Sequence, residues 1–301
     1  MNGMAVSSEI LPIVGMKKNM TEPLPFKADL HCHSTASDGV LAPADVAARA
    51  HANGVTLWSL TDHDEVRGIP EARAQAQKLG MDFVAGIEIS VTWAERTLHV
   101  VGLNIDIDSP SLNAGLEKIR RDRETRAHIM ADQFEKFGIP DTYEGALKFA
   151  GNPNLLSRTH FARYLVEQGH CKTMQDVFDK YLADGKLAYV AGEWAGLDEA
   201  LGWIHEAGGI AVIAHPGRYK YSRREFTTLF RTFKLMGGKA IEVVTGSHTP
   251  DQYHQYANVA RQYGFMASCG SDFHSPGESR IDLGKLPPLP SDLVPVWNAF
   301  N

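Results

Sequence analysis

Cysteine is scarce in this 301-residue chain: Cys32, Cys171 and Cys269, with no C-x-x-C spacing. That excludes a disulfide scaffold and fits a reducing compartment, where such thiols behave as small buried hydrophobes. A basic excess is missing too. Thirty Lys and Arg stand against thirty-six Asp and Glu, a formal net charge of −6, which argues against a general nucleic-acid coat or an anionic-membrane binder. No apolar run is long enough to span a bilayer. The stretch Ile10 to Met16 is broken by Pro12 and Gly15, and Lys17 and Lys18 follow it, the wrong order for a secretory signal. A cytoplasmic protein is expected, with residues 1–24 as a flexible leader. The patterns G-x-x-x-x-G-K-[ST], G-x-S-x-G and H-E-x-x-H are absent, which disfavours ATP-driven chemistry, a serine-hydrolase elbow and a thermolysin-type protease. Histidine is what the chain has in plenty. Its thirteen copies point to metal or acid–base chemistry.

From Phe26 onward, short apolar runs alternate with helical patterns. Strands are expected at Lys27–His31, Val55–Leu60, Asp82–Ile87, Leu98–Leu103, Ile210–Ala214, Lys239–Val244 and Phe265–Cys269. Helices are expected at Pro43–Ala52, from about Pro70 to Gly80, and at 197–207, 223–236 and 250–263. This alternation implies an α/β fold with a mostly parallel, barrel-like sheet and helices outside. Residues 107–188 read differently, as helices at 111–137, 143–150, 159–168 and 173–182. The expected domains are therefore a barrel over 25–106 and 189–301, and a helical insertion over 107–188 capping one end of it.

Metal-ligand residue types recur at or near the ends of the strand patterns. The first ends in His31-Cys32-His33, whose two imidazoles share one face of an extended chain. Asp38 follows in the next connection. The second strand leads to Asp62-His63-Asp64, the third to Glu88; the fourth contains His99, the next ends at His215, and the last at Asp272 and His274. Each alone has a plain structural explanation: a solvated Glu88, a packed His99, a strand end at His215-Pro216. Six histidines and several carboxylates delivered by independent segments to one rim do not, because the carboxyl ends of barrel strands converge where active sites are built.

The segments DLHCHSTASDG, LTDHDEVRGIPEA, GIEIS, LHVVGLN, AHPGR and GSDFHSP resemble, in order, the metal motifs of the PHP (polymerase and histidinol phosphatase) family. Ser157-Arg158-Thr159-His160 and YLADGKLAYV in the insertion are similar to its branch of 3′,5′-nucleoside bisphosphate phosphatases and 5′→3′ exoribonucleases, with Thr159 where that branch has proline. The resemblance implies a distorted (β/α)7 barrel with two or three divalent metals, Mn favoured and Zn or Fe as alternatives. It implies one metal on His31, His33, Glu88 and Asp272, a second on Glu88, His99 and His215, and a third on Asp38, His63 and His274. Asp62 and Asp64 would orient His63 or other ligands.

The implied activity is removal of the 3′-phosphate of a nucleoside 3′,5′-bisphosphate by metal-activated hydroxide, with Asp272, Glu88 and His215 as catalytic residues. The alternatives are a 5′→3′ exoribonuclease on short RNA, histidinol phosphatase or another small-molecule phosphoesterase, and a non-catalytic module of the same fold. A second anion site is expected from Arg158, His160 and Arg218, with Lys186 and Ser247 behind them. The arginines at 120, 121, 123 and 126 read as a solvated face, because Glu117, Asp122 and Glu124 are interleaved with them. His248 stays open between packing and function.

Overall fold

The computed structural model describes residues 26–192 and 194–300; the leader expected over residues 1–24 lies outside them. Strands β1 (Ala28–Asp29), β2 (Leu57–Leu60), β3 (Asp82–Trp93), β4 (Arg96–Leu103), β5 (Ala195–Gly196), β6 (Ile210–Ile213), β7 (Ala240–Thr245) and β8 (Met266–Gly270) form one sheet. Its order is β1-β2-β3-β4-β6-β7-β8, with β5 beside β3. The Leu30 N–H donates to the Cys269 carbonyl at 3.0 Å and Asp272 N–H to the His31 carbonyl at 2.8 Å, so β8 returns to β1 and the ring nearly closes. Helices α1 (Pro43–Ala52), α2 (Ile69–Leu79), α7 (Leu197–Glu206), α8 (Arg223–Leu235) and α9 (Pro250–Tyr263) belong to the barrel. Between β4 and β5 come α3 (Pro110–Lys136), α4 (Thr142–Leu147), α5 (Arg158–Glu167) and α6 (Met174–Val177). No helix among the described residues is long and apolar enough to cross a membrane.

The strands differ from expectation in three places: β1 is shorter than Lys27–His31, β5 was not expected, and the third and fourth strands form a hairpin. Glu88 does not end the third strand, which runs on to Trp93 and turns back into β4 with Trp93 opposite Arg96. The two turn residues, Ala94 and Glu95, have φ of 48° and 62°, the doubly left-handed backbone of a tight hairpin. Neither is the Asn or Gly that advertises such a turn in sequence. As a result β4 is antiparallel to both β3 and β6, and its N-terminal half, with His99, reaches the same rim as the C-terminal ends of the parallel strands.

Period-two alternation divides the sheet's side chains between two cores. Leu57, Val84, Val101, Ile210, Val212 and Ala240 fill the barrel interior, closed at the bottom by Val296. Their neighbours Trp58, Ala85, Val100, Ala211, Ile213 and Ile241 face the helices. The inward rows continue upward into charge: Val84, Gly86, Glu88 on β3; Leu103, Val101, His99 on β4; Ala240, Glu242 on β7. The insertion has a core of its own around Met130, Phe134, Phe161, Leu165 and Leu182. Its first helix serves both, because Leu112, Leu116 and Ile119 of α3 pack in the barrel core while Ala127, Met130 and Phe134 pack in the other.

Candidate active site

Glu88, fully buried at the top of the β3 inward row, is the hub of the rim. Its Oε1 lies 2.9 Å from His99 Nδ1 and 2.8 Å from His215 Nε2; its Oε2 lies 2.9 Å from His63 Nδ1 and 3.3 and 3.4 Å from His31 and His33 Nε2. Asp272 Oδ1 is 3.4 Å from His33 Nε2 and 3.7 Å from His31 Nε2, and the two Nε2 atoms are 3.3 Å apart. Separations of this size match the edge between ligands bonded to one cation at about 2.0–2.2 Å. Four overlapping groups could hold cations: His33, Asp38, His63 and His274; His31, His33 and Asp272; His31, Glu88 and His215; His63, Glu88 and His99. All nine metal-ligand candidates are thus brought together, with His31, His33, His63 and Glu88 each shared between two groups.

The donor set fits metal. Asp38 Oδ1, Glu88 Oε2, Asp272 Oδ1, His33 Nδ1 and His215 Nδ1 are buried without a hydrogen-bond partner among the described residues, an arrangement that is costly unless something positive satisfies it. Burial presses the carboxyls of Asp38, Glu88 and Asp272 toward the neutral form, but the surrounding imidazoles outweigh it and hold all three well below the usual carboxylate range. Burial also lowers His33 and His215 to about 3. Against burial, the neighbouring carboxylates raise His31, His63 and His274, the last to about 9, so a divalent cation binding here would displace protons from those rings.

Glu242, which the sequence reading passed over, fixes two of these groups. Its Oε1 is 2.8 Å from His31 Nδ1, so that nitrogen carries a proton and Nε2 is the atom turned toward Glu88 and Asp272. Its Oε2 accepts from the His215 backbone N–H at 2.6 Å. The signal was a lone carboxylate in the apolar run AIEVVT, at an inward position. His274 is set similarly, with Nδ1 donating to the Asp272 carbonyl at 2.9 Å and Nε2 facing Asp38. His215 and Asp272 have φ of 26° and 54°, left-handed backbone that costs about 1–3 kcal/mol per non-glycine residue and concentrates at functional sites. Gly270 lets β8 pass this close: a Cβ there would collide with His31.

Asp62 and Asp64 do not hold His63. Asp62 accepts from Ser34 N–H, Ser34 Oγ and Ser37 Oγ at 2.6–2.7 Å, tying down the loop that carries Asp38. Asp64 accepts from Ser90 N–H at 2.7 Å and from Arg123 Nη2 at 2.6 Å. Arg123 therefore does not belong to a solvated face. It and Arg126 are buried, one helical turn apart on α3 and turned toward the barrel. Their acidic neighbours in sequence are not their partners in space, because i and i+3 share a face while the interleaved acids point elsewhere.

Above the ligands opens a cavity of about 460 Å³, its floor including Asp38, His63, His99, Asp272 and His274 and its wall Arg126, Arg158, Phe178 and Trp194. Arg126 donates through Nε to the Val190 carbonyl at 2.7 Å and meets no carboxylate within ion-pair distance among the described residues. Burial, with Arg158 and Arg123 adding to it, lowers its pKa to about 9. Arg158 donates to the Leu182 carbonyl at 3.2 Å, and its carboxylate contact is Asp184 at 3.9 Å. Ser247 Oγ and Arg218 Nη1 reach Asp272 Oδ2 at 2.6 and 3.2 Å. Lys186 lies outside this cavity, exposed on an adjoining one of about 910 Å³ that shares Arg158, Phe178 and Arg218.

His160, expected to bind substrate, does not line the cavity. It is wholly buried, with Nδ1 accepting from the Ser157 N–H at 3.1 Å as part of a helix cap, and burial lowers it to about 4. His248 is settled as a positioning group: Nε2 accepts from Gly217 N–H at 2.9 Å, Nδ1 donates to the Val243 carbonyl at 3.1 Å, and the ring stacks on Tyr256. It pins the turn that follows His215.

Among known proteins, a 3′,5′-nucleoside bisphosphate phosphatase of Chromobacterium violaceum is 48% identical over 273 residues, covering 91% of this chain and 96% of its own. A 5′-3′ exoribonuclease of Haemophilus influenzae is 43% identical over 274 residues, covering 91% and 99%. The solved structure of an amidohydrolase from Chromobacterium violaceum, with bound sulfate and no metal, superposes with a TM-score of 0.88 at 47% identity over 91% of this chain and 95% of that one. Residues 29–271 match the PHP domain, and the chain belongs to the PHP domain family.

Proposed function

We propose that this chain is a metal-dependent phosphatase that hydrolyses the 3′-phosphate of nucleoside 3′,5′-bisphosphates, leaving nucleoside 5′-monophosphates. The observation that carries this reading is that one cavity sets a floor of candidate metal ligands opposite a wall with two arginines, Arg126 buried and Arg158 half-buried. A ligand with one phosphate on the floor and a second on the wall answers both charges. The name of the Chromobacterium violaceum relative fits the same substrate. Three cysteines without a disulfide suit a cytoplasmic setting.

Two or three divalent cations, Mn(II) favoured, would sit on the nine ligand residues, lowering the pKa of water and neutralising phosphoryl oxygens. His31, His33, Glu88 and Asp272 would hold one cation, Glu88, His99 and His215 a second, and Asp38, His63 and His274 a third. Of the three residues expected to be catalytic, Asp272 lines the cavity and would face the reacting phosphate, whereas Glu88 and His215 lie buried beneath it and would act through the cations they hold. Ser247 and Arg218 brace Asp272 from the solvent side. Arg126 and Arg158 hold the 5′-phosphate with charge-assisted hydrogen bonds, and Phe178 and Trp194 offer apolar faces to the nucleoside. A water oxygen bonds to phosphorus as the P–O3′ bond breaks, and the 3′-oxygen leaves with a proton.

The adjoining cavity favours one second reading, a 5′→3′ exoribonuclease on short RNA, the activity named for the Haemophilus influenzae relative. Arg96, Lys186, Lys220 and Tyr221 line that cavity and would accept further nucleotides. A phosphate-release assay with Mn(II) compares adenosine 3′,5′-bisphosphate, histidinol phosphate, AMP and a short 5′-phosphorylated RNA, the last also followed for mononucleotide release. Preference for the bisphosphate, abolished by EDTA, is the expected result. Preference for histidinol phosphate overturns the assignment, and faster mononucleotide release from RNA installs the second reading.

A further inference from the structure

The two oxygens of Asp38 face opposite ways. Oδ1 looks toward the rim, 3.4 Å from His274 Nε2, 3.9 Å from His63 Nε2 and 4.0 Å from His33 Nδ1, with no hydrogen-bond donor of its own. Oδ2 looks toward the insertion and accepts from Ser157 Oγ at 3.1 Å. Asp38 belongs to the barrel, whereas Ser157 is the N-cap of α5 in the insertion, 119 residues later in the chain. The hydroxyl's orientation is itself determined. Ser157 Oγ accepts from Thr159 N–H at 3.2 Å, which leaves its own hydrogen for Asp38. Ser157 is in turn clamped by His160, whose Nδ1 takes the Ser157 N–H while the His160 N–H returns to the Ser157 carbonyl at 3.1 Å.

We propose that Ser157, locked by His160, is a positioning residue for the third cation site, holding Asp38 so that Oδ1 alone is presented to the ion. The insertion is thereby part of the metal site although it supplies no ligand. Without the Ser157 hydroxyl, Oδ2 would lose its donor in a buried setting, and the carboxylate could rotate away from the shared position. Outer hydrogen bonds of this kind are worth about 10–100-fold in metal affinity. His160 gains the role its sequence position suggested, but through Ser157 rather than through substrate.

The inference rests on the metal reading of the rim, and its test counts metal without any substrate. Full-length parent, Ser157→Ala, Ser157→Gly and Ser157→Thr chains are titrated with Mn(II) by calorimetry, and bound Mn per chain is measured after removal of free ion. Thermal melts report folding. Alanine removes both the cap and the Asp38 bond, whereas glycine is nearly as good a cap as serine, so the pair separates the two roles. The expected result is that alanine and glycine weaken the weakest Mn(II) site equally, about 10-fold or more, and that threonine restores it. Unchanged Mn(II) affinity in both variants would overturn the proposal, as would weakening by alanine but not glycine, which would mark a capping effect alone. A parent chain that binds no Mn(II) would overturn the metal reading and this inference with it.

Discussion

The floor and the wall of the cavity are built by opposite means. The floor comes mainly from the ends of strands, whose backbone is fixed by the sheet and whose side chains alternate by rule, so Glu88, His99 and Glu242 arrive at the top of rows that begin in the apolar interior. The wall comes largely from helices and loops of the insertion, which have a hydrophobic core of their own and, beyond the start of α3, meet the barrel through polar contacts such as Arg123 with Asp64, Ser157 with Asp38 and Arg163 with Glu278. Strands deliver chemistry that is rigid and closely spaced; helices deliver charge that is fewer in number and set further apart. The difference teaches where each function should reside, with bond-breaking below and ligand choice above.

The sharpest test of that division is on the floor. Asp272→Asn should lower phosphate release from adenosine 3′,5′-bisphosphate on the order of 10³-fold or more while circular dichroism and melting temperature show a folded chain. Near-parental turnover in metal-replete enzyme would remove Asp272 from the centre. On the wall, Arg126→Met should raise KM for the bisphosphate about 10-fold or more, the worth of a charge-assisted hydrogen bond. Hydrolysis of a substrate with a single phosphate, such as p-nitrophenyl phosphate, should change little. Equal losses on both substrates would mean that Arg126 supports the fold or the floor. The smallest effect is expected at Lys186, exposed on the outer cavity. Lys186→Ala should change kcat/KM for the bisphosphate by less than about 3-fold, as for other exposed charges. A large loss confined to RNA would shift weight to the exoribonuclease reading.

Much of the floor was legible because strand periodicity and ligand chemistry speak together. His31 and His33 two residues apart, then Glu88, His215, Asp272 and His274 after apolar runs, need little beyond the rule that barrel strands end on one rim. Glu242 was equally inward by the same period but hid inside an unbroken apolar segment, where its partner, His31, is 211 residues away. The hairpin at Ala94-Glu95 hid because its residues do not favour the backbone they adopt. On the wall, Arg158 was found only through family resemblance. Arg123 and Arg126 were misread because nearby acids in sequence looked like sufficient partners.

By itself, then, the sequence determined the kind of chemistry: many imidazoles, carboxylates at strand ends, thiols too few and too scattered to matter, and a helical segment inserted into an α/β frame. Those follow from local rules of period, residue type and spacing. Tertiary structure alone decided which groups lie close enough to share an ion, that His160 clamps Ser157 and lies outside the cavity, and that two arginines from distant segments face one cavity. Those facts depend on contacts between the barrel and an insertion with its own core. No local pattern encodes how two such bodies meet.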